Sequence, residues 1–290
     1  MKLSVVVAAW NGEIALRRCL EALAGQGSDD VEVIVVCNQG LEKNQDLPRN
    51  PTLRFIEHPG VTVPELRAAG IAAAKGAAVA LTEDHCEVAP DWVQSILRSH
   101  ENGHDVVVGS VENAEDSSPI AWAVYLFDYG AFAPGVKAGQ RISGVNVSFR
   151  RAALETLRGA WSEGLIEFEM EDALRSAGMT VFRSAEMRVI HFGRYRTRRV
   201  TMKFFRGGRF FGGLRRERSN AGQLLFRIAA QPLVPMVILG RIGSRILNRP
   251  KLVGQYLLTL PWLVVLSVAW SLGEGTGYLM GKGDSSSHWR

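Results

Sequence analysis

A short acidic cluster with one histidine, Thr82-Glu83-Asp84-His85, follows an apolar run at 77–81. A strand that ends in carboxylates and an imidazole presents metal ligands at the carboxyl edge of a sheet, where open α/β sheets bind their ligands. Oxygen ligands suit Mg²⁺ or Mn²⁺, which commonly accompany phosphate groups, and a histidine shifts the preference toward Mn²⁺ or softer metals. A solvated acidic turn is the alternative interpretation of the tetrapeptide alone.

The elements that must position this cluster alternate along the chain. Apolar runs predict strands at 3–9, 31–36, 53–56, 77–81 and 106–109, and helical spacing of apolar residues predicts helices at 13–24, 63–74, 91–101 and 167–177. A final pair of strands is expected between Val181 and His191. Strands that alternate with helices indicate an α/β fold with a mostly parallel, doubly wound sheet.

Composition limits the classes of function. The 290 residues carry a formal charge of +5, which suits nucleic acid, anionic lipid or a phosphorylated substrate. The three cysteines, Cys19, Cys37 and Cys86, lack metal-binding spacing and indicate a reducing compartment without a disulfide framework. The apolar run at 3–9 precedes Trp-Asn-Gly and no small-residue cleavage site, so we interpret it as a buried first strand.

The C-terminal third has a different character. Residues 194–218 hold ten Lys or Arg and one acidic residue, 224–240 are mostly apolar, 241–251 are basic again, and 252–273 lack formal charge. Basic clusters on both sides of 224–240 argue against a crossing there, so we expect an interfacial or re-entrant segment beside anionic cytoplasmic lipid. Residues 252–273 either cross once or dip in and return. A buried helical hairpin is the alternative, and basic charge beside apolar segments fits lipid better than nucleic acid.

Several motifs, in order, resemble the family 2 glycosyltransferases of the GT-A fold over roughly residues 2–200. The resemblance rests on the opening strand and turn at 4–11, the second strand at 32–36, the helix at 66–76, Glu83-Asp84-His85 at the place of the family's Asp-x-Asp, Pro90-Asp91-Trp92, and Gly144-Val145-Asn146 at the place of its Gly-Asn motif. The resemblance implies a transferase domain at 1–200 and a membrane-associated helical tail at 201–290.

The resemblance also implies a site for a nucleotide-sugar donor and a divalent metal. Metal ligands are expected at Glu83, His85 and His191, although a structural role for His191 is equally open. Three departures modify the site. Cys37-Asn38 stands where the second strand usually ends in Asp, Glu83 replaces the first Asp of the metal motif, and His85 replaces the last Asp but can ligate a metal as neutral imidazole. The residues expected to contact the donor are Ala9, Trp10, Asn11, Asn38, Arg67, Glu83, Asp84 and Asn146. For Trp10, packing is the more common role.

The family's catalytic base is a carboxylate at the start of a late helix, where an inverting transfer needs one group to accept the proton of the attacking hydroxyl. Four acids compete for that role here: Glu167, Glu169, Glu171 and Asp172. Alignment backward from 174–178 favours Glu167, with Glu169 second. The others would serve to stabilise the helix N-terminus. One arginine of Arg194, Arg196, Arg198 and Arg199 could hold the departing diphosphate.

These observations predict an inverting glycosyltransferase at the cytoplasmic face of the cell membrane. It would move a sugar from a nucleotide diphosphate donor, most simply a UDP-sugar, to a lipid-linked or polysaccharide acceptor for the cell envelope. A catalytically degenerate scaffold, suggested by Cys37, Glu83 and His85, stays open. A nucleotidyltransferase is disfavoured because the turn at 9–13 lacks a Gly-rich loop with a basic residue.

Overall fold

The computed structural model describes residues 1–26, 30–38, 47–48, 52–136 and 139–285. The chain forms two compact units: a sheet unit of residues 1–114 and 132–192, and a helical unit of residues 115–131 and 193–290. The helical unit thus recruits a segment from the middle of the chain that the sequence did not associate with the tail. The predicted division at residue 200 stays a prediction, and positions 286–290 of the predicted tail lie outside the described residues.

Eight strands form one mixed sheet. They are β1 Leu3–Ala9, β2 Val31–Cys37, β3 Leu53–Glu57, β4 Ala78–Glu83, β5 Cys86–Val88, β6 Val106–Asn113, β7 Val147–Arg150 and β8 Val181–His191. Their order across the sheet is β3-β2-β1-β4-β7-β6-β8-β5. The neighbours β3, β2, β1 and β4 run parallel, as predicted, and every residue of β1, β2 and β4 is buried. Such continuous burial explains their uninterrupted apolar sequences.

The parallel strands bring the predicted site residues to one edge. Ala8 pairs with Glu83 across β1 and β4, and Ala9 pairs with Cys37 across β1 and β2. The chain leaves β1 toward β2 on one side and reaches β4 on the other. The carboxyl end of β1 is therefore a topological switch point, where open α/β sheets bind ligands.

The second half of the sheet corrects one prediction. Residues 181–191 form a single strand, β8, rather than a pair of strands. β8 runs parallel to β6 with a bulge, so that Gly109 pairs with Ser184 but Ser110 pairs with Arg188, and its end pairs antiparallel with β5. The bulge interrupts the alternation of side chains along β8, and the sequence pattern therefore indicated two strands.

Six α-helices of the described residues precede β8 in the chain; five belong to the sheet unit, and the fourth belongs to the helical unit. They are α1 Glu13–Ala24, α2 Val63–Ala73, α3 Trp92–Glu101, α4 Pro119–Asp128, α5 Arg151–Thr156 and α6 Glu167–Ser176. Gly12, with φ of 92°, forms the turn between β1 and α1. Thr62 and Glu65 cap the start of α2, which fixes the helix that carries Arg67.

The helical unit consists of α4 and four C-terminal helices. The latter are α7 Thr197–Glu217, α8 Ala221–Ala229, α9 Val234–Ile246 and α10 Pro250–Met280. α7 and α10 approach closely through glycines: a Cβ on Gly208 would lie 2.1 Å from the carbonyl oxygen of Trp270, and one on Gly273 would lie 1.9 Å from that of Phe205. Small residues permit such backbone contact between helices.

By length and composition α10 could cross a membrane, and so could the broken helix formed by α8, a 3-10 turn at Gln231–Leu233 and α9, which bends by 46°. The segment at 224–240 is therefore a bent pair of helices. Its predicted interfacial location stays a prediction.

Candidate active site

The turn after β1 is fixed by Asp84. One carboxylate oxygen accepts hydrogen bonds from the backbone N–H groups of Trp10 and Asn11, at 2.7 Å for Trp10, and the other accepts from Nδ2 of Asn11 at 2.8 Å. Asp84 is 1% exposed. Its carboxylate thus holds the turn at the switch point, which places Asn11 beside the acidic cluster.

His85 lies within reach of both neighbouring carboxylates. Its Nδ1 is 3.5 Å from Oε2 of Glu83, 3.3 Å from Oδ1 of Asp84 and 3.0 Å from Nδ2 of Asn11. The fully buried ring of His191 meets the His85 ring edge-on, with 4.7 Å between ring centroids. The structure therefore brings Glu83, His85 and His191 together, and their role as metal ligands stays a prediction.

These residues fit a divalent cation in part. In the described ranges no three His, Cys, Asp or Glu side chains are already arranged as a metal site. Glu83 Oε2 and His85 Nδ1 are nevertheless close enough to ligate one ion together, and a metal that accompanies a nucleotide commonly takes its other ligands from phosphates and water. The three carboxylates of Glu83, Asp84 and Glu167 against the one guanidinium of Arg67 leave two net negative charges, which a divalent cation would balance.

Arg67 connects the acidic cluster at the end of β4 with the acidic start of α6. This side chain is 7% exposed; its Nη2 donates to Oε1 of Glu83, and its Nη1 donates to Oε1 of Glu167 at 2.8 Å. The carbonyl oxygen of Leu165 lies 3.4 Å from the same Nη1. A planar guanidinium can contact two carboxylates in fixed directions, which the point charge of a lysine cannot. Arg67 therefore sets the position of Glu167 relative to Glu83.

Gly144 provides the space for this guanidinium. A Cβ at position 144 would lie 2.2 Å from Cζ of Arg67, so no larger residue fits without displacing the arginine. The backbone N–H of Gly144 also donates to Oε1 of Glu167 at 3.3 Å. The glycine of the Gly144-Val145-Asn146 motif is thus explained by the site itself.

Glu167 has the environment of an ionised carboxylate. Burial alone would raise its pKa, but the Arg67 guanidinium and the Gly144 N–H outweigh that effect and hold the pKa below its usual range. Its side chain remains 37% exposed, so a substrate hydroxyl can reach it. Among the four acids of α6, Glu167 is the one that Arg67 holds.

The other acids of α6 differ in the side of the helix on which they lie. Glu169 is two positions beyond Glu167, about 200° around the helix axis, and faces away from it. Glu171 is four positions beyond Glu167 and shares its face; it accepts a hydrogen bond from the backbone N–H of Ile142 at 3.0 Å. Burial raises the pKa of Glu171. The geometry therefore places Glu171, rather than Glu169, on the same helix face as Glu167, and the ranking of Glu169 as the second candidate for the base stays a prediction.

Asn146, which was predicted to contact the donor, makes hydrogen bonds within the protein. Asn146 is fully buried: its Nδ2 donates to the carbonyls of Ser110 and Met187 at 2.8 and 3.0 Å, and its Oδ1 accepts from Nε1 of Trp92 at 2.9 Å. These bonds close the bulge between β6 and β8 and give Asn146 a structural role; its predicted contact with the donor stays a prediction.

Asn38 lies at the same sheet edge as the acidic cluster, but its side chain bonds the loop between β3 and α2. Its Oδ1 accepts from the Gly60 N–H at 2.6 Å, and its Nδ2 donates to the Val61 carbonyl at 3.2 Å. Ala9 and Trp10 are at the end of β1, with Ala9 buried and Trp10 partly exposed. Their contact with a donor stays a prediction.

Sequence reasoning missed the Arg67 bridge. It assigned Arg67 to the donor and Glu167 to the acceptor, and it left Gly144 without a role. The pairing joins residues 100 positions apart in the chain. The only signal available was the glycine itself, since a glycine outside a turn often marks a close approach by another group.

Comparisons with known proteins identify the family of the chain. The family model "Glycosyl transferase family 2" matches residues 4–158, more than half of the chain. The chain therefore belongs to family 2 of the glycosyltransferases. Membership of this family argues against the nucleotidyltransferase alternative. The degenerate scaffold would belong to the same family, so the match does not separate it from an active transferase.

The relatives differ in extent of similarity. "Putative glycosyltransferase EpsH" of Bacillus subtilis (strain 168) is 27% identical over 110 residues, which cover 36% of this chain and 32% of EpsH. The alignment thus spans about a third of that relative. The mannosyltransferase PcManGT of Pyrobaculum calidifontis, solved in complex with GDP-Man and Mn²⁺, is 14% identical with a TM-score of 0.55 over 96% of this chain and 87% of PcManGT.

S. aureus TarS, solved in complex with UDP-GlcNAc, is 15% identical with a TM-score of 0.49 over 68% of this chain and 60% of TarS. The likeness to PcManGT confirms the predicted GT-A fold.

Proposed function

We propose that the protein is an inverting glycosyltransferase that uses a nucleotide diphosphate sugar, with a UDP-sugar as the first candidate. The acceptor in this proposal is a lipid-linked saccharide or envelope polysaccharide at the cytoplasmic face of the membrane. The family membership supports glycosyl transfer itself. The donor, the acceptor and the inverting course belong to the proposal.

The observation that carries the proposal is the contact of Arg67 with both Glu83 and Glu167. Glu83 stands on the donor side of the site, at the family's metal motif. Glu167 stands at the place of the catalytic base. One buried guanidinium thus holds a donor-side and an acceptor-side carboxylate at a fixed separation, which is the arrangement that direct displacement at a sugar carbon needs.

Each residue then has a defined task. Asp84 holds the turn of Trp10 and Asn11 at the switch point, where the nucleotide would bind. Glu167, kept ionised by Arg67, accepts the proton of the acceptor hydroxyl as that oxygen attacks the sugar. Glu83 and His85, with His191 behind His85, would hold a divalent cation. When bound, such a cation neutralises charge on the departing nucleotide.

The location at the membrane rests on the composition of the helical unit. α10 is long and apolar enough to enter a bilayer, and the flanking segments are strongly basic. Basic side chains are attracted to anionic lipid on the cytoplasmic leaflet. An acceptor with a lipid anchor would be met at that surface.

The proposal is tested by nucleotide release from a panel of UDP-, GDP- and dTDP-sugars. Detergent-solubilised protein is assayed with Mn²⁺, with Mg²⁺ or with chelator, beside His85→Ala and, as a matched surface control, His58→Ala. We expect cation-dependent release from one donor that His85→Ala reduces and His58→Ala retains. Release that is equal with chelator would contradict the metal assignment, and release from no donor would contradict the donor assignment.

A further inference from the structure

α10 exposes a single apolar stripe. Its exposed positions recur every three or four residues from Gly254 to Leu272. The large side chains of this stripe are Leu257, Leu258, Val264, Val265, Val268 and Leu272, each 40–75% exposed. The opposite side is buried and includes Thr259, Ser267 and Glu274. α10 therefore has one exposed apolar side and one buried side that carries polar residues, although its composition is that of a membrane span.

The buried side of α10 lies against a strongly basic helix. Gly207 and Gly208 of α7 contact Trp270, and Gly212 contacts Glu274. Further along, Arg215 pairs with Glu274, and Arg216 donates to the Leu279 carbonyl at 2.6 Å. If this part of α10 entered the hydrocarbon, α7 would enter with it. A charged side chain at the bilayer centre costs roughly 2.5–3.5 kcal/mol even on the most permissive scale.

Chain connectivity argues against a crossing by the first part of α10, residues 252–270. At its start Lys251 pairs with Glu115 at 2.9 Å, and nineteen residues later Trp270 contacts Phe127, with ring centroids 5.8 Å apart. Those ends would be about 28 Å apart along the helix, close to the ~30 Å of a hydrocarbon core.

Both partners of α10 are close in sequence to the sheet unit. Glu115 directly follows Ala114, and Phe127 is five residues before Phe132, a reach of at most about 18 Å. Were residues 252–270 to cross, Glu115 and Phe127 would lie on opposite sides of the membrane. The chain lengths from Glu115 to Ala114 and from Phe127 to Phe132 are too short to reach a water-exposed sheet unit from opposite sides of the membrane.

The preceding helix pair adds apolar surface and positive charge. α9 lies antiparallel to α10: Ser271 donates to the Gln231 carbonyl at 2.9 Å, and Tyr256 donates to the Leu239 carbonyl at 3.2 Å. Leu225, Phe226 and Met236 are each about 70% exposed. Residues 218–273 contain six basic residues and no acidic one. This positive charge complements anionic lipid. A protein partner with few acidic residues would not complement it.

We infer that the helical unit binds one leaflet of an anionic bilayer with α10 lying along the interface, and that no part of α10 crosses. An amphipathic helix with an apolar stripe and basic neighbours binds membranes in this manner. The inference rests on the proposed membrane location, and it is independent of the chemistry of the sheet unit.

Sidedness labelling tests the topology. The full chain is expressed in bacteria, and single new cysteines replace Leu247 and Met280, which flank α10 and are 69% and 73% exposed, and Ile14, a sheet-unit marker that is 79% exposed. A membrane-impermeant maleimide is applied to sealed vesicles of either orientation. We expect all three cysteines to react from the same side. Reaction of Leu247→Cys and Met280→Cys from opposite sides would overturn the inference.

Vesicle flotation tests the apolar stripe and the lipid class. Leu258→Glu places a charge on the stripe, and Ile14→Glu places one on an equally exposed residue of the sheet unit. Binding to phosphatidylglycerol-containing vesicles should fall about tenfold or more for Leu258→Glu alone, and pure phosphatidylcholine should bind the parent protein weakly. Equal flotation of both variants would contradict the stripe, and equal binding to both lipids would contradict the anionic requirement.

Donor turnover in detergent distinguishes the two proposals. Leu258→Glu should release nucleotide at the parent rate, because the substitution is remote in chain and unit from Glu83 and Glu167. Normal flotation without turnover of any donor would count against the proposed function alone. Normal turnover with failed flotation of the parent protein would count against the membrane inference alone.

Discussion

Arg67 and Glu167 form a salt bridge of 2.8 Å between α2 and the first residue of α6. Through its other nitrogen the same guanidinium contacts Glu83 at the end of β4. Removing one partner of such a buried group leaves the remaining charges uncompensated, which is strongly destabilising. The bridge therefore controls both the position and the ionisation of Glu167.

Arg67→Lys tests the positioning role of this bridge. Lysine keeps the charge but cannot contact two carboxylates in fixed directions, so we expect kcat to fall about 100-fold. Arg175→Lys is the matched control, because Arg175 pairs with Asp172 at the protein surface and should leave kcat unchanged. Partial rescue of Arg67→Ala by added guanidinium would support a positioning role. A kcat for Arg67→Lys equal to that of Arg175→Lys would contradict it.

Gly144→Ala tests the close approach of Arg67 to the backbone. The new methyl group would overlap the guanidinium, so either Arg67 or the chain must move. We expect a loss of roughly 1–3 kcal/mol in the free energy of unfolding together with lower activity. Gly159→Ala is the control, since no atom lies within 4 Å of a Cβ there. Thermal unfolding and nucleotide release measure both effects, and equal behaviour of the two variants would be the contrary result.

The sequence predicted the elements of the sheet unit well where local pattern determines them. The buried strands β1, β2 and β4 are apolar on both faces, and α1 has apolar residues at helical spacing that end at Gly25. Order along the chain then placed Glu83 and Asn11 at one sheet edge, because parallel strands align their carboxyl ends. The expected place of His191 near the metal came from the family resemblance alone, and the antiparallel pairing of β5 with β8 brings His191 beside His85.

Tertiary contacts decided what sequence could not. Asn146 matched a donor-binding motif, yet its amide closes a bulge between β6 and β8 that has no local signature. Alignment ranked Glu169 above Glu171, whereas the helix geometry places Glu171 on the face of Glu167 that Arg67 contacts. Likewise, α10 has the composition of a membrane span, and only its packing against α7 and α4 restricts its location.

The pH dependence of kcat should report the Arg67 bridge. Because the pKa of Glu167 is lowered in the folded protein, the base stays ionised as pH falls through the ordinary carboxylate range, and kcat should decline only below it. In Arg67→Gln burial remains and the guanidinium is lost, so the pKa rises and the acid limb should move to higher pH. Glu169→Gln should leave the limb in place. An acid limb that Arg67→Gln does not move would contradict the assignment.

The same pKa shift has a consequence for stability. The contribution of Glu167 to the free energy of unfolding is present above the unfolded-state pKa and is lost as pH falls through the lower, folded-state pKa. Glu167→Gln should remove this part of the pH dependence. Urea unfolding at a series of acidic pH values measures it, and identical profiles for both proteins would be the opposing outcome.

The glycines between α7 and α10 should be intolerant of substitution. Gly208→Ala directs a methyl group at the Trp270 carbonyl and should lower the free energy of unfolding by roughly 1–3 kcal/mol. Gly240→Ala in α9 meets open space and should raise it by about 0.5–1 kcal/mol. Thermal unfolding in mild detergent compares the two. Opposite signs are expected, and destabilisation by Gly240→Ala alone would refute the packing argument.

The most direct test of the central claim is the rate of sugar transfer by Glu167→Gln beside the parent protein. The assay follows nucleotide release from the preferred donor with an extract of membrane glycolipids as acceptor, and Glu169→Gln serves as control. We expect Glu167→Gln to bind the donor normally but to lose about 10²–10⁴-fold in kcat, while Glu169→Gln keeps the parent rate. A Glu167→Gln variant that transfers sugar at the parent rate would show that Glu167 is not the base.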